Sequence, residues 1–142
     1  MKTIRIDIPS EDYDSVLSIR REVFIAEQNV PEDVEIDETE MDSTYFLTFL
    51  NDVPAATGRL RVVGQKIKFE RIATLKKFRG QGAARDLMNT MFQYAKENYS
   101  TLIPYMHSQA DAVGFYEKLG WKKTGESFSE AGIPHHAMTR TF

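Results

Sequence analysis

The chain has 142 residues, 42% of them hydrophobic and 27% charged, with a net charge of −3. Such a composition excludes a disordered tail and predicts one domain, residues 1–142, with a core of its own. Its 18 basic residues against 21 acidic ones offer no basic surface, so nucleic acid is not expected as a partner. The absence of cysteine rules out disulfides, thiolate metal sites and cysteine nucleophiles, and fits the cytoplasm as the expected location. No metal is expected, and no apolar run approaches the ~18 residues that span a bilayer, so no membrane partner is expected either.

In chain order, the alternation of Ile4, Ile6 and Ile8 predicts a strand stopped by Pro9, with Ser10 as the N-cap of a helix. That helix runs from Tyr13 to about Ala26 and carries an apolar stripe of Tyr13, Val16, Leu17, Val23 and Phe24. Arg20 falls on the stripe, either as a surface residue laying its stem over the core or as a functional cation. Residues Asn29 to Asp42 hold seven acidic side chains, Glu32, Asp33, Glu35, Asp37, Glu38, Glu40 and Asp42, and read as a solvated loop able to attract a cationic acceptor. Thr44 to Leu50, Ala55 to Val63 and Ile67 to Leu75 then predict an antiparallel meander, with Asn51-Asp52 and Gly64 at its turns. A helix from about Gly82 to Asn98, a strand from Thr101 to His107, a short helix from Ala110 to Leu119 and a terminal strand pair around Gly132-Ile133-Pro134 complete the chain. The order predicts an α/β (α+β) fold: a mixed, partly antiparallel central sheet flanked by helices in three layers, α/β/α.

Gly80 and Gly82 lie between a strongly β segment and a long amphipathic helix. Glycines after a strand can be a plain turn, but here successive main-chain N–H groups and a helix N-terminus can converge on one place, with Lys76, Lys77 and Arg79 adding positive charge. Such a place suits phosphate. It is neither a P-loop, which needs Lys-Ser/Thr after its last glycine, nor a dinucleotide fingerprint, whose third glycine is replaced by Arg85.

The stretch Leu75-Lys76-Lys77-Phe78-Arg79-Gly80-Gln81-Gly82-Ala83 resembles motif A of the GNAT N-acetyltransferases, Gln/Arg-x-x-Gly-x-Gly/Ala, with Lys77 keeping the positive charge of the first position. Downstream, Gln109-Ala110-Asp111-Ala112-Val113-Gly114-Phe115-Tyr116-Glu117-Lys118-Leu119-Gly120-Trp121 resembles motif B, Asn-x-x-Ala-x-x-Phe-Tyr-x-x-x-Gly-Phe, with Gln109 for Asn and Trp121 for the last Phe. The resemblance covers nearly the whole chain. It implies acetyl-CoA as co-substrate, bound along Ile72, Ala73 and Thr74, by Lys77, Phe78, Arg79, Gly80, Gln81, Gly82, Ala83 and Ala84, and by Gln109 and Tyr116. It also implies direct transfer to an amine, with Tyr116 as general acid to the departing sulfur.

Supplying an alkyl amine of pKa near ~10 in neutral form at pH 7 costs about 4 kcal/mol, enough to reward a positioned base. Glu70, on the strand leading into the loop and on the face that alternation shares with Lys68 and Ile72, is one candidate; it could equally be paired with Arg59 or Arg61. His135 is the other. Gly132-Ile133-Pro134-His135 resembles the Gly-Pro-His segment of the glyphosate N-acetyltransferase-like branch, whose histidine is the base, and an ordinary imidazole pKa near ~6.5 suits that role. The same branch implies that Arg20 and Arg71 bind an anionic group of the acceptor, with His107 nearby. A small-molecule amine acceptor is therefore expected; acetylation of a protein lysine or N-terminus, or an acyl-CoA-binding module without turnover, are the alternatives. The exposed edge of a splayed sheet makes a homodimer an expectation by fold analogy.

Overall fold

The computed structural model describes residues 1–36 and 40–142. Strand β1 (Lys2–Ile6) ends before Ile8, the chain leaving the sheet ahead of Pro9. Ser10 caps the first helix, its Oγ accepting from the Tyr13 N–H at 3.1 Å. This helix, α1 (Glu11–Arg20), continues into a π-helical segment, Arg21–Glu27, a wide winding that recurs at functional sites. A short helix, α2 (Glu32–Glu35), and a single turn at Glu40–Asp42 follow.

Strands β2 (Thr44–Leu50), β3 (Val53–Val63) and β4 (Lys66–Thr74) form the expected meander. Asn51 and Asp52 both adopt left-handed backbone (φ 52° and 64°), as a two-residue hairpin turn requires. Helix α3 (Ala83–Asn98) crosses over to β5 (Ile103–Gln109), which pairs with β4 in parallel. Helix α4 (Val113–Lys118) and the strands β6 (Lys122–Lys123), β7 (Phe128–Glu130) and β8 (Ile133–Thr139) complete the chain. Among the described residues the sheet order is β1-β2-β3-β4-β5-β8-β6, with β7 on β8. The last hairpin turns at Ala131-Gly132 (φ 51° and 75°), one residue earlier than the sequence suggests, so Ile133 and Pro134 already belong to β8.

Each face of the sheet is covered by helix. Leu87, Met88, Met91 and Ala95 of α3 pack on Phe46, Leu60, Ile67 and Phe69, together with Trp121 and Tyr116. Val16, Ile19, Val23 and Phe24 of α1 and its extension cover Ile6, Tyr45, Leu47 and Ala73 on the opposite face. This is the α/β/α layering read from the sequence, and no described helix is long and apolar enough to cross a membrane.

The α1 face holds an unexpected charged row. Register places Tyr45, Arg59 and Glu70 side by side across β2, β3 and β4, and Glu40 ties Arg20 of α1 to that row by accepting from Arg20, Arg59 and Tyr45. Arg20 is therefore no surface residue: it is 0% exposed. Its Nε donates to Glu35 Oε1 (2.6 Å), and its two terminal nitrogens donate to Glu40 at 2.8 Å each. Glu40 also accepts from Arg59 Nη1 (2.8 Å) and from the hydroxyls of Tyr13 and Tyr45. The acidic segment thus turns two of its carboxylates inward, contrary to the solvated loop its composition suggests. Asp37 and Glu38 of that expectation lie outside the described residues.

Candidate active site

Strands β4 and β5 are hydrogen-bonded only where they begin, from Lys66↔Ile103 to Lys68↔Tyr105. Beyond that point their facing edges splay. The cause is local to β4. Between Thr57↔Ala73 and Arg59↔Glu70, β4 spends one residue more than β3, a bulge centred on Arg71, whose φ is 58°. The extra residue resets the alternation, so Ile72 joins the α3 face and Ala73 the α1 face. Ile72 therefore does not share the face of Lys68 and Glu70, as simple alternation predicts. Gly58 stands opposite because nothing larger fits: a Cβ there would lie 2.6 Å from Ile72 Cδ1 and 2.7 Å from Met91 Sδ.

The splay opens a cavity of about 840 Å³. One end is the glycine loop. Gly80 and Gly82 adopt φ 78° and 88°, and Gly82 is the N-cap of α3 with no side chain to satisfy the first helical N–H groups. Those groups and the positive end of the helix face the cavity at Gly82, Ala83 and Ala84. Phe78, Arg79, Gly80, Ile72, Ala73 and Thr74 also line it, whereas Lys77 and Gln81 lie outside the lining. Arg79 is fixed by a bidentate pair with Glu27 of the π-helical segment (2.8 Å each) and by the Thr74 carbonyl (3.0 Å). The cradle of N–H groups, the unbranched approach at two glycines and the adjoining cleft suit a pyrophosphate followed by an extended chain.

Tyr116, His135, His107 and Gln109 also line the cavity. Tyr116 is 7% exposed, and among the described residues its hydroxyl has no hydrogen-bond partner; burial pushes the phenol up and keeps it protonated. His135 is as deeply placed, its Nδ1 lying 2.7 Å from the Ile133 carbonyl. Since a carbonyl only accepts, Nδ1 carries the proton in the neutral ring and the lone pair is on Nε2. Gln109 exchanges amide hydrogen bonds with Gln28 (2.8 and 3.3 Å), tying the end of β5 to the end of the π-helical segment.

Two expected site residues have other employment. Arg20 does not line the cavity, because its guanidinium is consumed by Glu35 and Glu40 beneath the sheet. Glu70 lines it but is held by Arg59 Nη2 (2.9 Å), Arg61 Nε (2.7 Å) and Lys68 Nζ (3.4 Å). Burial alone would push the Glu70 carboxyl up, yet the hydrogen bond from Arg61 and the charges of Arg59 and Lys68 hold it down at about 2, which makes it a poor proton acceptor. Arg71 does line the cavity, reaching Glu35 Oε2 (2.9 Å) and the Val34 carbonyl (3.1 Å). Sequence reasoning missed Gln28, Arg61, Lys68 and Glu130, all in the lining. For Arg61 and Lys68 a signal existed in strand alternation with Arg59 and Glu70, but it becomes usable only once strand neighbours are known, and for Glu130 the pairing of β7 with β8 is needed. Among the described residues no cluster of His, Asp and Glu could hold a metal.

A family model described as "Acetyltransferase (GNAT) domain" matches residues 7–142. The chain is 39% identical over 132 residues to the uncharacterised protein YyaT of Bacillus subtilis, covering 91% of this chain and 88% of that one. The crystal structure of Escherichia coli ElaA superposes with a TM-score of 0.88 over 99% of both chains at 23% identity. An aminoglycoside 6'-N-acetyltransferase crystallised with coenzyme A shares the fold at a TM-score of 0.74 and 14% identity, over 99% of this chain and 97% of that one. The chain therefore belongs to the GNAT acetyltransferases, enzymes whose acetyl donor is acetyl-CoA.

Proposed function

We propose that this acetyltransferase acts on a primary or secondary amine of a small molecule that also carries an anionic group, by direct attack. Bound acetyl-CoA supplies the activated thioester. Gly80, Gly82 and the first N–H groups of α3 bind its pyrophosphate, and the unpaired edge of β4 at Ile72 to Thr74 orients the chain that follows. Tyr116 donates its proton to the departing sulfur, and His135 Nε2 takes a proton from the attacking nitrogen. The observation that carries this reading is that a buried phenol, without a hydrogen-bond partner among the described residues, and an imidazole with its lone pair fixed on Nε2 line one cavity, beside the splay of β4 and β5.

Glu70 is in this reading a structural anion, since three cations hold its charge. The acceptor's anionic group is drawn by Arg61, Lys68 and Arg71, which line the cavity, and not by Arg20. The inward turn of Glu35 and Glu40 weighs against a protein acceptor, because carboxylates spent on Arg20 and Arg59 attract no basic tail.

The test is release of CoA thiol from acetyl-CoA with a panel of free amino acids, simple amines and lysine peptides. Amino acids should outperform simple amines, and Tyr116→Phe and His135→Ala should each lower kcat by about 100-fold or more. Turnover with peptides alone would refute the small-molecule reading. Acetyl-CoA binding without turnover of any acceptor would identify an acyl-CoA-binding module instead.

A further inference from the structure

Beyond the residues already given roles, a titratable cluster lies on one face of three strands. Register pairs Gln109 with His135 and His107 with Ala137 on β5 and β8, and Phe128 with His135 and Glu130 with Ile133 on β7 and β8. His107 and Glu130, on the two strands that flank β8, are therefore each a diagonal neighbour of His135 on one side of the sheet. Glu130 stands between the rings, with Oε1 3.0 Å from His107 Nδ1 and Oε2 3.6 Å from His135 Nε2. His107 Nε2 lies 3.1 Å from the Tyr105 hydroxyl.

The hydrogen bonds fix each proton. A carboxylate only accepts, so His107 donates from Nδ1 to Glu130, its Nε2 carries the lone pair, and Tyr105 donates to it. Tyr105 and His107 thus pin Oε1, which leaves Oε2 directed to the one nitrogen of His135 that can take up a proton. The packing restricts rotation further: Phe128 stacks on the His135 ring at 6.0 Å and meets the His107 ring edge-on at 4.9 Å. The Glu130 side chain is 46% exposed and touches solvent on its other side.

We infer that Glu130, oriented by His107, is the positioning residue that steadies protonated His135 and passes its proton to water. The inference rests on His135 being the base. An acceptor arriving as an ammonium loses two protons when its nitrogen becomes an amide. One replaces the proton that Tyr116 gives to sulfur; the other leaves the nitrogen on His135 Nε2. That second N–H must break before the next cycle, and Glu130 Oε2 is the adjacent acceptor from which water can collect the proton. No oxidant, reductant or further reactant is needed.

The experiment compares full-length wild type, His135→Ala, Glu130→Gln, Glu130→Ala and His107→Gln in CoA release from acetyl-CoA, using the free amino acid turned over fastest by wild type. Melting curves serve as fold controls, and the Glu130 variants, changed at a half-exposed side chain, are expected to leave them unchanged. Glu130→Gln should lower kcat at least about tenfold with KM for acetyl-CoA within twofold, and formate added to Glu130→Ala should restore part of the rate. Nitrogen-15 NMR of the ligand-free protein supplies a second readout: both His107 and His135 protonated on Nδ1 in wild type, and His107 losing that preference in Glu130→Gln. Full turnover in Glu130→Gln with His135→Ala inactive would overturn this inference alone. Full turnover in His135→Ala, or none in wild type with any acceptor, would overturn the reading beneath it and the inference with it.

Discussion

Replacing Arg20 by alanine tests whether this residue belongs to the fold or to the acceptor. Removing it takes from the buried Glu35 and Glu40 carboxylates the cation they share, leaving Arg59 against Glu40 and Arg71 against Glu35. Breaking a buried ion pair from one side costs about 3–5 kcal/mol, because the charge left behind keeps its desolvation penalty. With an unfolding entropy of about 2.1 cal/mol/K per residue, a chain of 142 residues has roughly 0.3 kcal/mol/K at its midpoint. The variant should then melt about 10–17 °C below wild type. Calorimetry measures this directly, and the acceptor KM of Arg20→Ala below its melting range should stay within about threefold of wild type. A variant that melts within 2 °C or so of wild type but binds the acceptor far more weakly would refute the argument.

The same network predicts acid sensitivity. Burial pushes the Glu40 carboxyl up, but hydrogen bonds from Arg20 and Tyr45 outweigh it and hold the group at about 2, and Glu70 is held at about 2 likewise. Both return to about 4.3 on unfolding, so between these values the unfolded chain binds more protons; their stabilisation is complete above about pH 5 and is lost as pH falls toward 2. Glu35, pushed up by burial, opposes this in part. Urea midpoints should therefore drop clearly from pH 7 to pH 3, and equal midpoints would contradict the network. Gly58→Ala should cost about 1–3 kcal/mol in urea denaturation, toward the lower figure if Ile72 and Met91 swing aside, and should weaken acetyl-CoA binding because Ile72 lines the cavity. Unchanged stability and affinity in Gly58→Ala would show that the bulge does not need this close approach.

Much of the fold was legible from short-range signals. Ser10 announced its helix, Asn51-Asp52 its hairpin, and the Gly80/Gly82 pair between strand and helix its N–H cradle, because each depends on residues within one turn. What escaped depends on neighbours distant in sequence. Arg20 on an apolar stripe reads as a surface residue or a functional cation until Glu35 and Glu40, 15 and 20 residues away, take up its guanidinium. The inward turn of Glu35 and Glu40 has the same origin, for composition reports charge and not its partner. The bulge at Arg71 carries no glycine to mark it, and it overturns the alternation that placed Ile72 with Glu70. Glu130 became visible only when β7 was found beside β8.

The most direct measurement of the central claim is the melting temperature with and without saturating acetyl-CoA, in wild type and in Gly82→Glu. At 100 times its dissociation constant the ligand stabilises the fold by about 2.7 kcal/mol, which for 142 residues is a rise of about 9 °C. Gly82 has a left-handed backbone, and a glutamate there brings strain and a like charge to the phosphate cradle, so this variant should show no rise. A rise in wild type that disappears in Gly82→Glu is the predicted result; the absence of a rise in wild type, or an equal rise in both, would contradict the assignment of this cavity to acetyl-CoA.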